Sequence, residues 1–164
     1  MSSFSLDQLF PAAFASAEGG RSVAGVSFDS RKVAPGQVFV ALSGAKADGG
    51  RFIADAVARG ASAIVSGQPR PAALAPEIAF AQVEDPRLSL ALAAAVVHPR
   101  QPGTIGAVTG TSGKSSVADF TRQIFQMLGH EAASVGTVGI VTATASTYGT
   151  LTTPDPVTLH ASLD

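Results

Sequence analysis

The chain has 164 residues, 46% of them hydrophobic and only 14% charged, with 11 Lys+Arg against 12 Asp+Glu and a formal net charge of −1. So much apolar matter excludes a mainly disordered chain, and the near-neutral balance excludes a broad electrostatic footprint for nucleic acid or an anionic membrane. The absence of Cys excludes a disulfide scaffold, a thiolate zinc site and cysteine catalysis.

At the amino terminus, residues 1–10 lack a basic segment and include Asp7, so no secretion signal is expected. Phe4, Leu6, Leu9 and Phe10 read as a packing helix, since no basic residues stand beside them. Residues 23–28 alternate apolar and small side chains and read as a strand, followed by the polar loop Asp29-Ser30-Arg31-Lys32. Ala34-Pro35-Gly36 is a turn signal, 37–42 a Val- and Phe-rich strand, and Lys46-Ala47-Asp48-Gly49-Gly50 a loop. Phe52, Ile53, Ala56 and Val57 fall at helical spacing within 51–59, with Gly60 suited to ending the helix. A buried strand is expected over 61–65, a Pro-rich excursion over 67–76 and another strand over 78–83. Pro86 then opens an Ala/Leu helix over 87–97. The longest apolar-leaning run, 88–97, is far too short for a membrane span, so a soluble, cytoplasmic protein without membrane insertion is expected.

His98-Pro99-Arg100-Gln101-Pro102-Gly103 is neither helix nor central strand, which predicts one domain over 1–98, a linker at 99–103 and a second α/β pattern over 104–164. There 104–109 reads as a buried strand and Gly110-Thr111-Ser112-Gly113-Lys114-Ser115-Ser116 as a Gly-rich loop. Val117, Phe120, Ile124, Phe125 and Leu128 then mark one face of a helix that ends at Gly129. Strand material is expected over 132–138 and 139–144, and a turn over 146–149. A further helix start follows, with Thr153 as cap and Pro154 in the first turn.

Strand, Gly-rich loop, Lys-Ser and amphipathic helix is the arrangement that cradles a phosphate. Glycines let successive N–H groups point inward, and the helix start adds its positive dipole end. Lys114 then supplies an ammonium for the β- and γ-phosphates, and the Ser115 hydroxyl a ligand position for Mg²⁺. The spacing is the short G-x-x-G-K-S, with Val108 where the longer G-x-x-x-x-G-K-[ST] pattern has Gly. Elsewhere, the run from Asp29 to Lys32 could offer a hydroxyl, backbone donors and an Arg fork to an anion, or could be a turn closed by its own Asp. Lys46-Ala47-Asp48-Gly49 reads as turn chemistry, and Thr152-Thr153-Pro154 as helix capping. His98, His130 and His160 lack carboxylate partners at ligand spacing, so no metal site is assigned to them.

Taken together, the stretches SFDSRKVAPGQVFVALSGAKADGGRFIADAVARGASAIV, VTGTSGKSSVADFTRQIFQMLG, SVGTVG and LTTPD resemble the Mur ligases of bacterial peptidoglycan synthesis, over about residues 23–155. Within that family the resemblance is to the branch adding the third peptide residue. The sister branch that adds D-Ala-D-Ala, and a module that only binds a uridine nucleotide, are the alternatives. The resemblance implies a small α/β amino-terminal domain for the UDP end of the substrate, followed by the start of an α/β ATP-binding domain with a phosphate loop. It also implies a chemistry: ATP phosphorylates a substrate carboxylate, and the amine of an amino acid, here diaminopimelate, displaces phosphate.

Carried over residue by residue, Gly110, Thr111, Ser112, Gly113, Lys114, Ser115 and Ser116 would bind ATP, with Lys114 catalytic and Ser115 on Mg²⁺. Phe28, Ser30, Ala45, Lys46, Ala47, Thr152 and Thr153 would contact the UDP-N-acetylmuramoyl dipeptide. Five positions depart from the family's usual residues: Ser112 stands for Asn, Ser116 for Thr, Ala45-Lys46 for His-Gln and Leu151 for Asn. The chain stops about 50 residues after the phosphate loop, where such a sheet needs several more βα units. It therefore reads as a monomeric front end of a larger enzyme, without ligase activity of its own.

Overall fold

The computed structural model describes residues 3–43, 48–147 and 155–164, and the chain divides into two compact units, Met1–Pro99 and Arg100–Asp164. The first unit opens with a two-residue strand, β1 (Phe4–Ser5), and a single helical turn, α1 (Leu6–Leu9). Ser5 and Gln8 cap that turn reciprocally: Ser5 Oγ accepts from the Gln8 N–H at 3.2 Å, and Gln8 Oε1 from the Ser5 N–H at 2.8 Å. Leu6, Leu9 and Phe10 are buried, but the packing helix expected over residues 4–10 is one turn only: Phe4 lies half-buried in β1 and Phe10 follows the turn. A second short helix, α2 (Ser16–Gly19), follows.

The strand expected over 23–28 is in fact two. β2 (Ser22–Val23) pairs antiparallel with β1, whereas β3 (Val26–Ser27) joins a different, parallel sheet. Gly25, at φ +134°, makes the break between them in a conformation a side chain would resist.

That parallel sheet runs in the order β3, β4 (Val38–Ala41), β5 (Ala63–Ser66) and β6 (Ala79–Gln82). Between β4 and β5 lie a 3-10 turn, Gly49–Phe52, and the helix α3 (Ile53–Ala58), so the expected helix is split into two geometries. Phe39, Ala41, Ile64, Ile53 and Ala56 form one core cluster with Val33 and Ala61. By the period-two alternation Val38 and Val40 belong to the other face. The helix α4 (Pro86–Val97) packs against β3, β4 and α1, burying Leu90, Ala93 and Ala94. Asp85 caps α4 by accepting from the Arg87 and Leu88 N–H groups, with Pro86 in the first turn.

The second unit contains α5 (Lys114–Met127), the antiparallel strands β7 (Ser134–Gly136), β8 (Gly139–Val141) and β9 (Ser146–Thr147), and α6 (Pro156–Leu163). Gln126 Nε2 donates to the Ala132 carbonyl at 2.9 Å, tying the end of α5 to the approach of β7.

Three expectations are corrected in this unit. Residues 104–109 form no strand. Ile105 and Val108 are 65% and 43% exposed, and among the described residues this segment has no neighbouring strand to supply ladder hydrogen bonds. Ser146 and Thr147 are strand rather than turn. The turn lies before them, where the Thr142 N–H donates to the Ala145 carbonyl and the Ala145 N–H donates to Thr142 Oγ1. The last helix starts at Pro156 and is capped by Asp155, which accepts from the Thr158 N–H at 2.9 Å, while the expected cap Thr153 lies outside the described residues.

Candidate functional site

The turn from Gly110 to Gly113 is built by backbone conformations that glycine tolerates. Gly110 has φ +151° and Gly113 φ +79°, and Gly113 is the residue from which α5 starts. Among the described residues no side chain caps that start, and the N–H groups of Lys114, Ser115 and Ser116 have no hydrogen-bond acceptor there. A helix beginning with free N–H groups and the positive end of its dipole favours an anion. Lys114 Nζ folds back over the turn, donating to the carbonyls of Gly110 at 2.5 Å and Thr111 at 3.4 Å. All seven residues from Gly110 to Ser116 are exposed, so a ligand can reach them without displacing packing.

Ser115 has a partner that the sequence reading did not single out. Its Oγ lies 2.8 Å from Thr137 Oγ1, in the connection between β7 and β8. The available signal was indirect, since Thr137 sits inside the SVGTVG stretch that carries part of the resemblance.

In the first unit, Phe28 is half-buried just beyond β3, and Ser30 is buried in a 3-10 turn, Ser30–Lys32. Ser30 lines an open cleft of about 360 Å³ together with Arg31, Asp55, Ala58 and Arg59. Phe28 is not among the lining residues, and Asp55 and Arg59 were not anticipated as neighbours of Ser30.

The run from Asp29 to Lys32 forms the self-closed turn, one of the two arrangements expected of it. Asp29 Oδ1 accepts from the Arg31 N–H at 3.1 Å, and the Arg31 guanidinium forks onto the same carboxylate at 2.9 and 2.8 Å. The fork that might have met an anion is already engaged. The Arg31 hydrogen bonds hold the Asp29 carboxyl down at about 2, well below the usual carboxylate range.

Ala45, Lys46, Ala47, Thr152 and Thr153 lie outside the described residues. The base of the loop carrying the first three is described, however. Ser43 and Asp48 form an antiparallel bridge, the Gly49 N–H donates to the Leu42 carbonyl at 3.0 Å, and Arg87 reaches the Ser43 carbonyl at 3.2 Å. Asp48 Oδ1 also accepts from the Gly50 N–H at 3.0 Å. These contacts hold Leu42 and Ser43 close to Asp48 and Gly49.

Two family models match the chain, "Mur ligase family, catalytic domain" over residues 22–100 and "Mur ligase middle domain" over 108–164. The chain belongs to the Mur ligase family. A Mur ligase from Bradyrhizobium diazoefficiens, named UDP-N-acetylmuramoyl-L-alanyl-D-glutamate–2,6-diaminopimelate ligase, is 56% identical over 142 residues, which are 87% of this chain and 29% of the relative. A solved structure of an enzyme of that name matches 99% of this chain and 33% of its own at 25% identity, with a TM-score of 0.82. Mur ligases of the MurF type match less well. The one from Thermotoga maritima in complex with ADP gives a TM-score of 0.51 at 28% identity, over 64% of this chain and 24% of its own. One from Acinetobacter baumannii gives 0.59 at 27% identity, over 78% and 28%. This chain thus spans less than a third of the length of the curated Mur ligase it matches at 56% identity.

Among the described residues no helix is long and apolar enough to cross a membrane. Nor do three or more His, Asp or Glu gather as a metal cluster among them.

Proposed function

We propose that this chain is the amino-terminal part of a cytoplasmic, ATP-dependent ligase of peptidoglycan precursor synthesis. It would join meso-diaminopimelate to UDP-N-acetylmuramoyl-L-alanyl-D-glutamate as the third peptide residue. The observation that carries the reading is the uncapped start of α5, with Gly113 in the left-handed region and Lys114 poised over the turn. The name borne by the 56%-identical relative supplies the substrate class, and the higher TM-score favours this branch over the MurF type.

In this reading residues 1–98 serve the UDP end, 99–103 form the linker and 104–164 open the ATP-binding domain. A carboxylate oxygen of the D-glutamyl residue attacks the γ-phosphorus of ATP, and ADP leaves. The amine of diaminopimelate then attacks the acyl carbon, loses a proton and expels phosphate. The N–H groups at the start of α5, from Lys114 to Ser116, hold the phosphate chain. The Lys114 ammonium moves from the Gly110 carbonyl to the β/γ-phosphate oxygens and offsets the charge that builds as the bond to ADP breaks. Gly110, Thr111, Ser112 and Gly113 line the turn. Phe28, Ser30, Ala45, Lys46, Ala47, Thr152 and Thr153 hold the UDP-muramoyl dipeptide.

Ser115 fits a magnesium ion by its donor chemistry: an exposed hydroxyl oxygen beside the phosphate cradle, with no nitrogen or sulfur ligand competing. When bound with ATP, such an ion neutralises phosphate charge.

Calorimetric titration of the full-length ligase with Mg·ATP and with UDP-muramoyl dipeptide, together with mass detection of the diaminopimelate adduct, tests this reading. ATP hydrolysis that never depends on the UDP substrate would point instead to an unrelated phosphate-loop NTPase.

A further inference from the structure

Thr137 is exposed in the connection between β7 and β8, where Gly136 and Gly139 pair across the hairpin and Gly139 takes φ +102°. Its neighbour Val138 is 51% exposed, so burial of this turn does not explain a threonine there. Among the described residues the side chain has one recorded hydrogen-bond partner, Ser115 Oγ, at 2.8 Å and 22 positions earlier in the chain.

A hydroxyl carries one proton and two lone pairs. If Ser115 receives the Thr137 proton, one of its lone pairs is consumed. If Ser115 donates to Thr137 instead, both of its lone pairs remain for a cation. A cation beside Ser115 repels a proton directed at it and so favours the second arrangement. Groups that orient a metal-bearing side chain in this way commonly change metal affinity about 10–100-fold when removed.

We propose that Thr137 is a positioning residue for Mg²⁺-dependent nucleotide binding. It accepts the Ser115 proton and fixes the Ser115 oxygen as a donor to the cation, an inference that rests on the phosphate-loop reading above. Thr137 itself touches neither the nucleotide nor the reacting atoms in this role. It couples the β7–β8 hairpin to the loop, so the hairpin becomes part of the metal-sensing apparatus rather than a spacer.

The test compares the affinity of the full-length ligase for ATP with Mg²⁺ and with EDTA, by calorimetry, in wild type, Thr137→Val and Thr137→Ser. Valine keeps the shape and removes the acceptor, whereas serine keeps the acceptor. The expected result is that Thr137→Val loses about tenfold of the Mg²⁺-dependent gain in affinity. Its metal-free affinity should stay within about twofold of wild type, and Thr137→Ser should restore the gain. Should valine prevent folding, Thr137→Ala makes the same comparison. An unchanged Mg²⁺ gain in the valine or alanine variant overturns the proposal and leaves the phosphate-loop reading standing. Equal losses with and without Mg²⁺ also overturn it, because they mark a purely structural bond. A wild-type protein with no affinity for ATP overturns the phosphate-loop reading itself, and the role of Thr137 with it.

Discussion

The Lys114 ammonium lies 2.5 Å from the Gly110 carbonyl oxygen, bent back across the turn from which its own helix begins. Both groups are exposed, and the contact closes the turn without burying anything. A polyphosphate arriving at the helix start offers the same ammonium a charged acceptor in place of a neutral one, and charge-assisted hydrogen bonds are the stronger kind. Removing the ammonium should therefore cost transition-state stabilisation and little structure. Lys114→Ala in the full-length ligase is expected to lower kcat about 10²–10³-fold while its melting temperature stays within a few degrees. Unchanged turnover in that variant would reject the role given to the lysine.

Gly49 packs closely against the backbone of Leu42. A Cβ placed there would lie 2.5 Å from the Leu42 carbonyl oxygen and 2.6 Å from the Leu42 nitrogen. Both are backbone atoms that cannot swing aside. Gly49→Ala is expected to destabilise the first unit by about 1–3 kcal/mol, read as a fall in melting temperature. It should also weaken binding of the UDP substrate. A variant with wild-type melting and wild-type UDP affinity would show that the loop base tolerates the shift.

Acid should act on the turn at Asp29. Its carboxyl sits at about 2 in the folded chain against an ordinary 3.8, so the folded state binds fewer protons between those values. The stabilisation is complete above pH 3.8 and is lost as pH falls toward 2. Because Arg31 is 83% exposed, solvent screens the pair and the contribution is expected to be small. Comparing the urea midpoints of wild type and Arg31→Gln at pH 6 and pH 2.5 should show the gap narrowing at the lower pH. A gap that stays constant or widens would contradict this account.

The apolar face of α5 exposes large side chains, with Phe120 at 62% and Ile124 at 56%. Large patches of this kind drive association in water. The 164-residue chain is expected to bind a hydrophobic dye and to aggregate at micromolar concentration, and Phe120→Ser with Ile124→Ser to reduce both. In a full-length protein whose sheet packs on this face, the same double change is expected to destabilise. The opposite pattern, a soluble wild-type fragment and an unaffected full-length variant, would mean that the face needs no cover. The fragment alone should form no amide product under any of these conditions.

Local signals carried much of the fold. The alternation around Phe39 and Ile64, the Asp85-Pro86 start of α4 and the Gly113 turn each depend on a few adjacent residues, and each is where the sequence puts it. The misreadings have longer-range causes. The apolar run at 104–109 has the composition of a buried strand, but a strand exists only where a neighbour offers a ladder, and composition says nothing about the neighbour. Ser146 and Thr147 look like turn residues and become strand because Thr142 makes the turn first. At the candidate site, the glycine turn before α5 was legible from spacing, while Thr137 was not. The two hydroxyls are brought together by the return of the chain through β7, a contact no window of sequence contains.

Gly25 divides six consecutive residues between two sheets, so that Ser22 and Val23 pair with the amino-terminal strand while Val26 and Ser27 edge the parallel one. The chain's first turn cannot then behave as an appendage. Leu6 and Leu9 are anchored by a strand only two residues upstream, in register, of the one that starts the main sheet, and α1 lies against α4. The amino terminus and the parallel sheet are thereby tied through adjacent residues and through α4. Trimming the leading residues as far as Leu9, a step sometimes taken in preparing protein, would remove the packing of α1 on α4 and be felt at Leu90.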